Sequence, residues 1–103
     1  MKTDLEYLKE AIRQSRRCVP TCSAYCVGAV VVLPSGRSYT GYTHETGSAN
    51  HAEEEAIVKA LAAGEDLRGA TMYSSMEPCS LRKSKPESCT ELILRYGFSK
   101  VVF

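Results

Sequence analysis

Residues 27–33 read VGAVVVL, seven successive positions without a polar side chain. Four of the seven are valine, whose β-branched side chain fits a pleated strand better than a helix. A strand with one wet face would alternate polar and apolar residues. This run does not alternate, so it predicts a strand covered on both faces. In a chain of 103 residues that leaves room for one domain, built as a sheet with cover on each side.

The flanking sequence supplies the cover. Pro34-Ser35-Gly36 is a turn, and Ser38 to Thr43 returns as an antiparallel strand. Upstream, Thr3 to Arg17 reads as a helix, with Thr3 and Glu6 as a capping box and Leu5, Leu8 and Ile12 as its inward stripe. Val19 to Cys26 contains Pro20 and small polar residues and reads as a loop. HAEEEAIVKALAAG (51–64) is the clearest helix, with Ala52, Ala56, Ile57, Ala60 and Leu61 inward and Gly64 ending it. Ala70 to Met76 is a third strand. Cys89 to Tyr96 is a third helix with Leu92 and Ile93 inward, and Lys100 to Phe103 begins a fourth strand. Strands alternating with helices predict an α/β domain over residues 1–103, a three-layer αβα sandwich. Its sheet is expected to be mixed and mostly parallel, with only the first hairpin antiparallel.

Charge narrows the function classes. Thirteen basic and twelve acidic residues give a formal net charge of +1, which offers no bulk attraction to nucleic acid. No apolar run approaches the ~20 residues that cross a bilayer. The start, MKTDLEYLKE, lacks the apolar segment of a signal peptide, so a reducing cytoplasm is the expected compartment. There, five cysteines read as thiols or metal ligands rather than disulfides.

Two predicted helices start alike. In Asn50-His51-Ala52-Glu53 a cap residue precedes His51 at the first helical position. Ser88-Cys89-Thr90-Glu91 repeats the pattern with a thiol in place of the imidazole. Side chains of a first helical turn lean toward the N-terminus and reach past the helix end. A β-α-β-α layout brings both helix starts near the end of the central strand, where Cys79 also arrives. One imidazole and two thiols form a donor set that suits zinc, and three protein ligands leave a fourth position for water. Two thiolates balance the dication, and helix N-termini favour thiolates. Glu53, two residues after the histidine, is placed to move a proton of that water.

Each piece alone has an ordinary reading. Glu53 is also the acid of a capping box, and Glu91 has the same offset from Ser88 with no chemistry assigned to it. A lone His51 or Cys79 is more often a packed residue than a ligand. The combination H-x-E, then P-C, then C is the zinc-deaminase pattern, although its usual cysteine spacing is C-x-x-C. Here nine residues separate Cys79 from Cys89, in EPCSLRKSKPESC, and three of them are basic.

With these residues in view, the chain resembles the cytidine-deaminase-like superfamily, and within it the pyrimidine deaminases of riboflavin biosynthesis. The likeness is carried by VGAVVV, TGYTHETGSANHAEE, RGATMYSSMEPCS and the delayed second cysteine, and it spans roughly residues 5–103. The run from Gly41 to Glu53 is most similar to the fungal version. The resemblance implies one Zn²⁺ per chain on His51, Cys79 and Cys89, with Glu53 as proton shuttle. It implies a phosphorylated aminopyrimidinone as substrate. Lys85 is then the phosphate contact, supported by Arg82 and Lys83, and His44 lies near the substrate. The bacterial family carries a base-binding Asn just before VGA. This chain has CSAYC there, with Ala24 near the expected place. The fold normally continues with another strand and helix beyond the fourth strand, so a homo-oligomer is expected, its neighbour covering the sheet edge.

Two other readings stand beside this one. One is a cytosine or adenine deaminase acting on a nucleoside, a nucleotide or single-stranded nucleic acid. The absence of Trp and the near-neutral charge argue against the polymer version. The other is a non-catalytic zinc module, which would need a fourth ligand. Cys18, Cys22 and Cys26 read as small packed residues, Glu54 and Glu55 as solvated acids, and Arg16 and Arg17 as a surface pair. Tyr39 and Tyr42 read as packing residues, with stacking on a base as their alternative.

Overall fold

The computed structural model describes residues 3–17, 27–43, 45, 51–75 and 93–103. Helix α1 (Asp4–Ser15) is followed by β1 (Gly28–Val32), β2 (Ser38–Tyr42), α2 (Ala52–Ala62), β3 (Thr71–Ser74) and β4 (Lys100–Val102). Residues 93–95 are helical, with Ile93 buried, on the segment predicted as the third helix. The strands lie in the order β2-β1-β3-β4. No helix among the described residues is long and apolar enough to cross a membrane.

The sheet is mixed, but its parallel part is smaller than the sequence implied. β1 pairs antiparallel with both β2 and β3, and only β3 and β4 run parallel. The reason is topological. The hairpin reverses the chain, so the α2 crossover sets β3 parallel to β2. β3 is then inserted on the far side of β1, which runs the opposite way.

β1 is buried along both faces, as its apolar run requires. Ala29 and Val31 pack with Ala52, Ala56, Ile57 and Ala60 of α2 and with Met72 of β3. Val30 points the other way, onto Ala11 of α1 and Tyr73 of β3. The two helices therefore lie on opposite faces, and period-two alternation assigns each strand residue to one of them.

Two glycines set how close the helices come. A Cβ on Gly28 would lie 1.8 Å from the Ala11 carbonyl oxygen, and one on Gly41 would lie 2.5 Å from that of Ala52. Glycine at each site lets helix backbone press onto strand backbone. The contact at Gly28 also corrects the predicted face of α1. Leu5 and Ile12 are exposed, and the side turned to the sheet carries Tyr7, Ala11 and Gln14. A helix this close needs a small residue at the contact, and the Leu5-Leu8-Ile12 stripe has none. Leu61 of α2 is likewise exposed rather than inward. The cap of α1 is as expected, with Thr3 Oγ1 accepting from the Glu6 N–H at 3.2 Å.

On the α1 face, the Tyr73 hydroxyl donates to the Asp4 carboxylate, which also meets Lys100 Nζ at 2.9 Å. Donation from Tyr73, then from Lys100, holds the Asp4 carboxyl below its ordinary value. On the α2 face, Lys59 Nζ donates to the Thr40 carbonyl oxygen at 2.8 Å and pairs with the Glu45 carboxylate. That covers a backbone acceptor on β2, an edge strand.

Candidate active site

The N-terminal end of α2 sits at the C-terminal end of β3. His51 is the N-cap of α2, with extended backbone (φ −89°, ψ 161°), and its carbonyl accepts the Glu55 N–H at 3.0 Å. The helix thus begins one residue later than the sequence indicated, since His51 supplies the first acceptor while keeping non-helical dihedrals. Its imidazole does not cap the helix. Glu53, Glu54 and Glu55 fill the first turn, where the positive end of the helix dipole favours acids.

Glu53 is only 4% exposed. It reaches the sheet, where the Ser74 hydroxyl donates to its Oε2 at 3.3 Å. Ser74 is the last residue of β3, paired with Ala29 of β1 and fully buried. The end of β3 is fixed in turn by Ser75. Its N–H donates to the Gly28 carbonyl at 2.9 Å, and its Oγ accepts the Gly28 N–H at 3.0 Å. Thr43 ties the end of β2 to Val27 through both its N–H and its hydroxyl. The floor under α2 is therefore held by bonds from three strands.

Of the predicted site residues, His51 and Glu53 are brought together in one helix start. Ala24, His44, Cys79, Arg82, Lys83, Lys85 and Cys89 lie outside the described residues, as do Cys18, Cys22, Cys26 and Glu91. No three His, Cys, Asp or Glu side chains converge on a metal-binding arrangement among the described residues.

Three expectations about neighbouring residues are settled. Glu55 is buried at 1% exposure rather than solvated, because Gly41 lets β2 press against its turn of α2. Tyr39 packs against the α2-side core, and its hydroxyl donates to Glu65 Oε2 at 2.7 Å. The Arg17 guanidinium lies 5.2 Å from the Tyr42 ring centroid. Tyr42 pairs with Gly28, whose open side meets α1, so this contact is on the face away from Glu53.

Ser74 was not singled out as a functional residue by sequence reasoning. The signal was present. Ala70, Met72 and Ser74 share one strand face, and a hydroxyl ends an otherwise apolar row aimed at α2.

A mixed sheet with helices on both faces, and a glutamate-bearing helix start at the end of an inner strand, is the cytidine-deaminase fold. The structure of a diaminohydroxyphosphoribosylaminopyrimidine deaminase/5-amino-6-(5-phosphoribosylamino)uracil reductase from Thermotoga maritima matches it with a TM-score of 0.82. The two are 34% identical, with 95% of this chain and 28% of that one covered. The Aspergillus oryzae Rib2 deaminase matches with a TM-score of 0.79 at 26% identity, covering 96% of this chain and 70% of that one. The chain belongs to the family described as the cytidine and deoxycytidylate deaminase zinc-binding region, which it matches over residues 1–103. Among curated relatives, the diaminohydroxyphosphoribosylamino-pyrimidine deaminase of Schizosaccharomyces pombe is 48% identical over 99 residues. That alignment covers 94% of this chain and 24% of the relative. The chain spans about a quarter of the length of the first curated relatives it matches.

Proposed function

We propose that this chain is a zinc-dependent hydrolytic deaminase domain acting on a phosphorylated aminopyrimidine of the riboflavin-pathway type. The observation that carries the reading is the buried Glu53 carboxylate, set two residues after His51 at the start of α2 and bonded to the end of β3. The names of its relatives supply the substrate class, diaminohydroxyphosphoribosylaminopyrimidine.

The donor set fits zinc. One imidazole and two thiols are the nitrogen and sulfur ligands that zinc prefers, and His51 is not used to close its own helix. His51, Cys79 and Cys89 would hold the ion. When bound, zinc supplies a Lewis acid that makes water nucleophilic near neutral pH. Glu53 takes one proton from the attacking water and gives it to a ring nitrogen, then takes the second from the new hydroxyl and gives it to the departing amine as the carbon–nitrogen bond breaks. The amine-bearing carbon thereby gains oxygen and releases ammonia. Burial of Glu53 keeps this proton out of bulk solvent. Lys85, with Arg82 and Lys83, binds the substrate phosphate through charge-assisted bonds. His44 and the Ala24 segment belong to the substrate site. The domain works in the cytoplasm as a homo-oligomer.

Zinc analysis combined with ammonia release tests the reading, using diaminohydroxyphosphoribosylaminopyrimidine and dCMP as separate substrates. Turnover of the first, with Glu53→Ala losing at least ~100-fold in kcat and keeping its zinc, supports it. Turnover of dCMP alone would move the chain to nucleotide salvage chemistry. Zinc binding with no turnover of either would make it a binding module.

A further inference from the structure

We propose that Ser74 is a positioning residue for Glu53, holding the carboxyl group in the orientation that proton transfer requires. The inference rests on the deaminase reading and adds to it a residue from the opposite side of the site. Ser74 ends β3 on the face that Met72 turns toward α2, so its hydroxyl points to the first turn of that helix. Both groups are almost fully buried, and Ser74 Oγ lies 3.3 Å from Glu53 Oε2. A strand position closed on both sides favours a β-branched apolar residue. A hydroxyl there is retained against its desolvation only when it is bonded.

The geometry gives the bond its role. Glu53 reaches the sheet through two methylenes, and each added torsion lets the carboxyl plane turn. Holding Oε2 to the end of β3 restricts that freedom relative to the sheet. The anchor is itself rigid, because Ser75 ties the same strand end to Gly28 in both directions. A proton carrier depends on placement at the ångström scale.

The test uses the zinc-loaded full chain with Ser74→Ala, Ser74→Val and Ser74→Thr. With diaminohydroxyphosphoribosylaminopyrimidine as substrate, Ser74→Ala and Ser74→Val are expected to lower kcat about tenfold. KM is expected to stay within about twofold and zinc at the wild-type content, since Ser74 meets neither substrate nor metal in this reading. Ser74→Thr, which keeps the hydroxyl, restores kcat to within about threefold of wild type. An unchanged kcat in Ser74→Ala overturns the proposal, as does a loss that Thr fails to rescue. Crystal structures of wild type and Ser74→Ala give a second readout that needs no turnover. The Glu53 carboxyl is expected in one orientation bonded to Ser74 in the first and rotated or split in the second. An identical single orientation in both overturns the inference, even if the deaminase reading itself has failed.

Discussion

Replacing Gly41 with alanine probes the join between the fold and the site. Gly41 lies in β2 beneath the start of α2. An added Cβ would meet the Ala52 carbonyl oxygen at 2.5 Å, the Ala56 nitrogen at 2.6 Å and the Glu55 Cβ at 2.8 Å. Ordinary contact begins at 3.4 Å, so the closest of these is about 0.9 Å too short. Two of the three atoms are backbone, so no side-chain rotation relieves them. The first turns of α2 must lift from the sheet by a comparable distance. Overpacking of this kind costs about 1–3 kcal/mol. At roughly 4–8 °C per kcal/mol for a domain of this size, Tm should fall by about 4–24 °C. The same lift carries His51 and Glu53 with it and stretches the 3.3 Å bond to Ser74. A misplacement near 1 Å can cost about 100-fold in rate. Thermal unfolding, zinc content and ammonia release should be measured on Gly41→Ala beside Gly36→Ala. Gly36 has open space around it but a left-handed φ of 94°, so alanine there strains only the turn, by roughly 1 kcal/mol. The expected result is a stability loss in both variants, at least as large at Gly41 as at Gly36, with turnover lost only at Gly41. A Gly41→Ala protein with wild-type Tm and wild-type kcat would refute the reasoning.

Two further outcomes follow from groups outside the site. The folded pKa of Asp4 is lowered from 3.8, so the stability it contributes is complete above its unfolded pKa and is lost as pH falls through that value and below. A Tm profile from about pH 6 down to 3 should therefore fall less steeply in Asp4→Asn than in wild type, and matching acid limbs would remove the role. Lys59→Met leaves the Thr40 carbonyl and the Glu45 carboxylate without their cation, which costs about 1 kcal/mol once solvent screening of the half-exposed lysine is counted. It also opens the β2 edge, so sedimentation at micromolar concentration should show aggregates beyond the wild-type species. The same run checks the expected homo-oligomer, which a monomeric wild type would defeat.

What the sequence disclosed and what it hid divide along one physical line. Signals confined to a single element were legible. VGAVVVL was readable as a doubly covered strand because a run without polar residues has no wet face, and both its faces are buried. The Thr3 cap was readable because its partner is three residues away. His51 and Glu53 were readable as neighbours of one helix start because they lie two residues apart in sequence. Features that depend on how elements press together were not. The large apolar stripe of α1 looked like its inner face, yet the close contact with Gly28 turns the side around Ala11 to the sheet. Glu55 looked solvated because three successive acids resemble a wet helix start, and only the approach of β2 at Gly41 buries it. The direction of β3 followed from its insertion beyond β1, which strand and helix order alone does not specify. Ser74 belongs with this second group. Its hydroxyl acquires a role only when β3 ends beneath the first turn of α2, 21 residues away in sequence from the carboxylate it holds. The proposed proton carrier thus lies in one short stretch of sequence, while the group proposed to aim it had to be found by folding the chain.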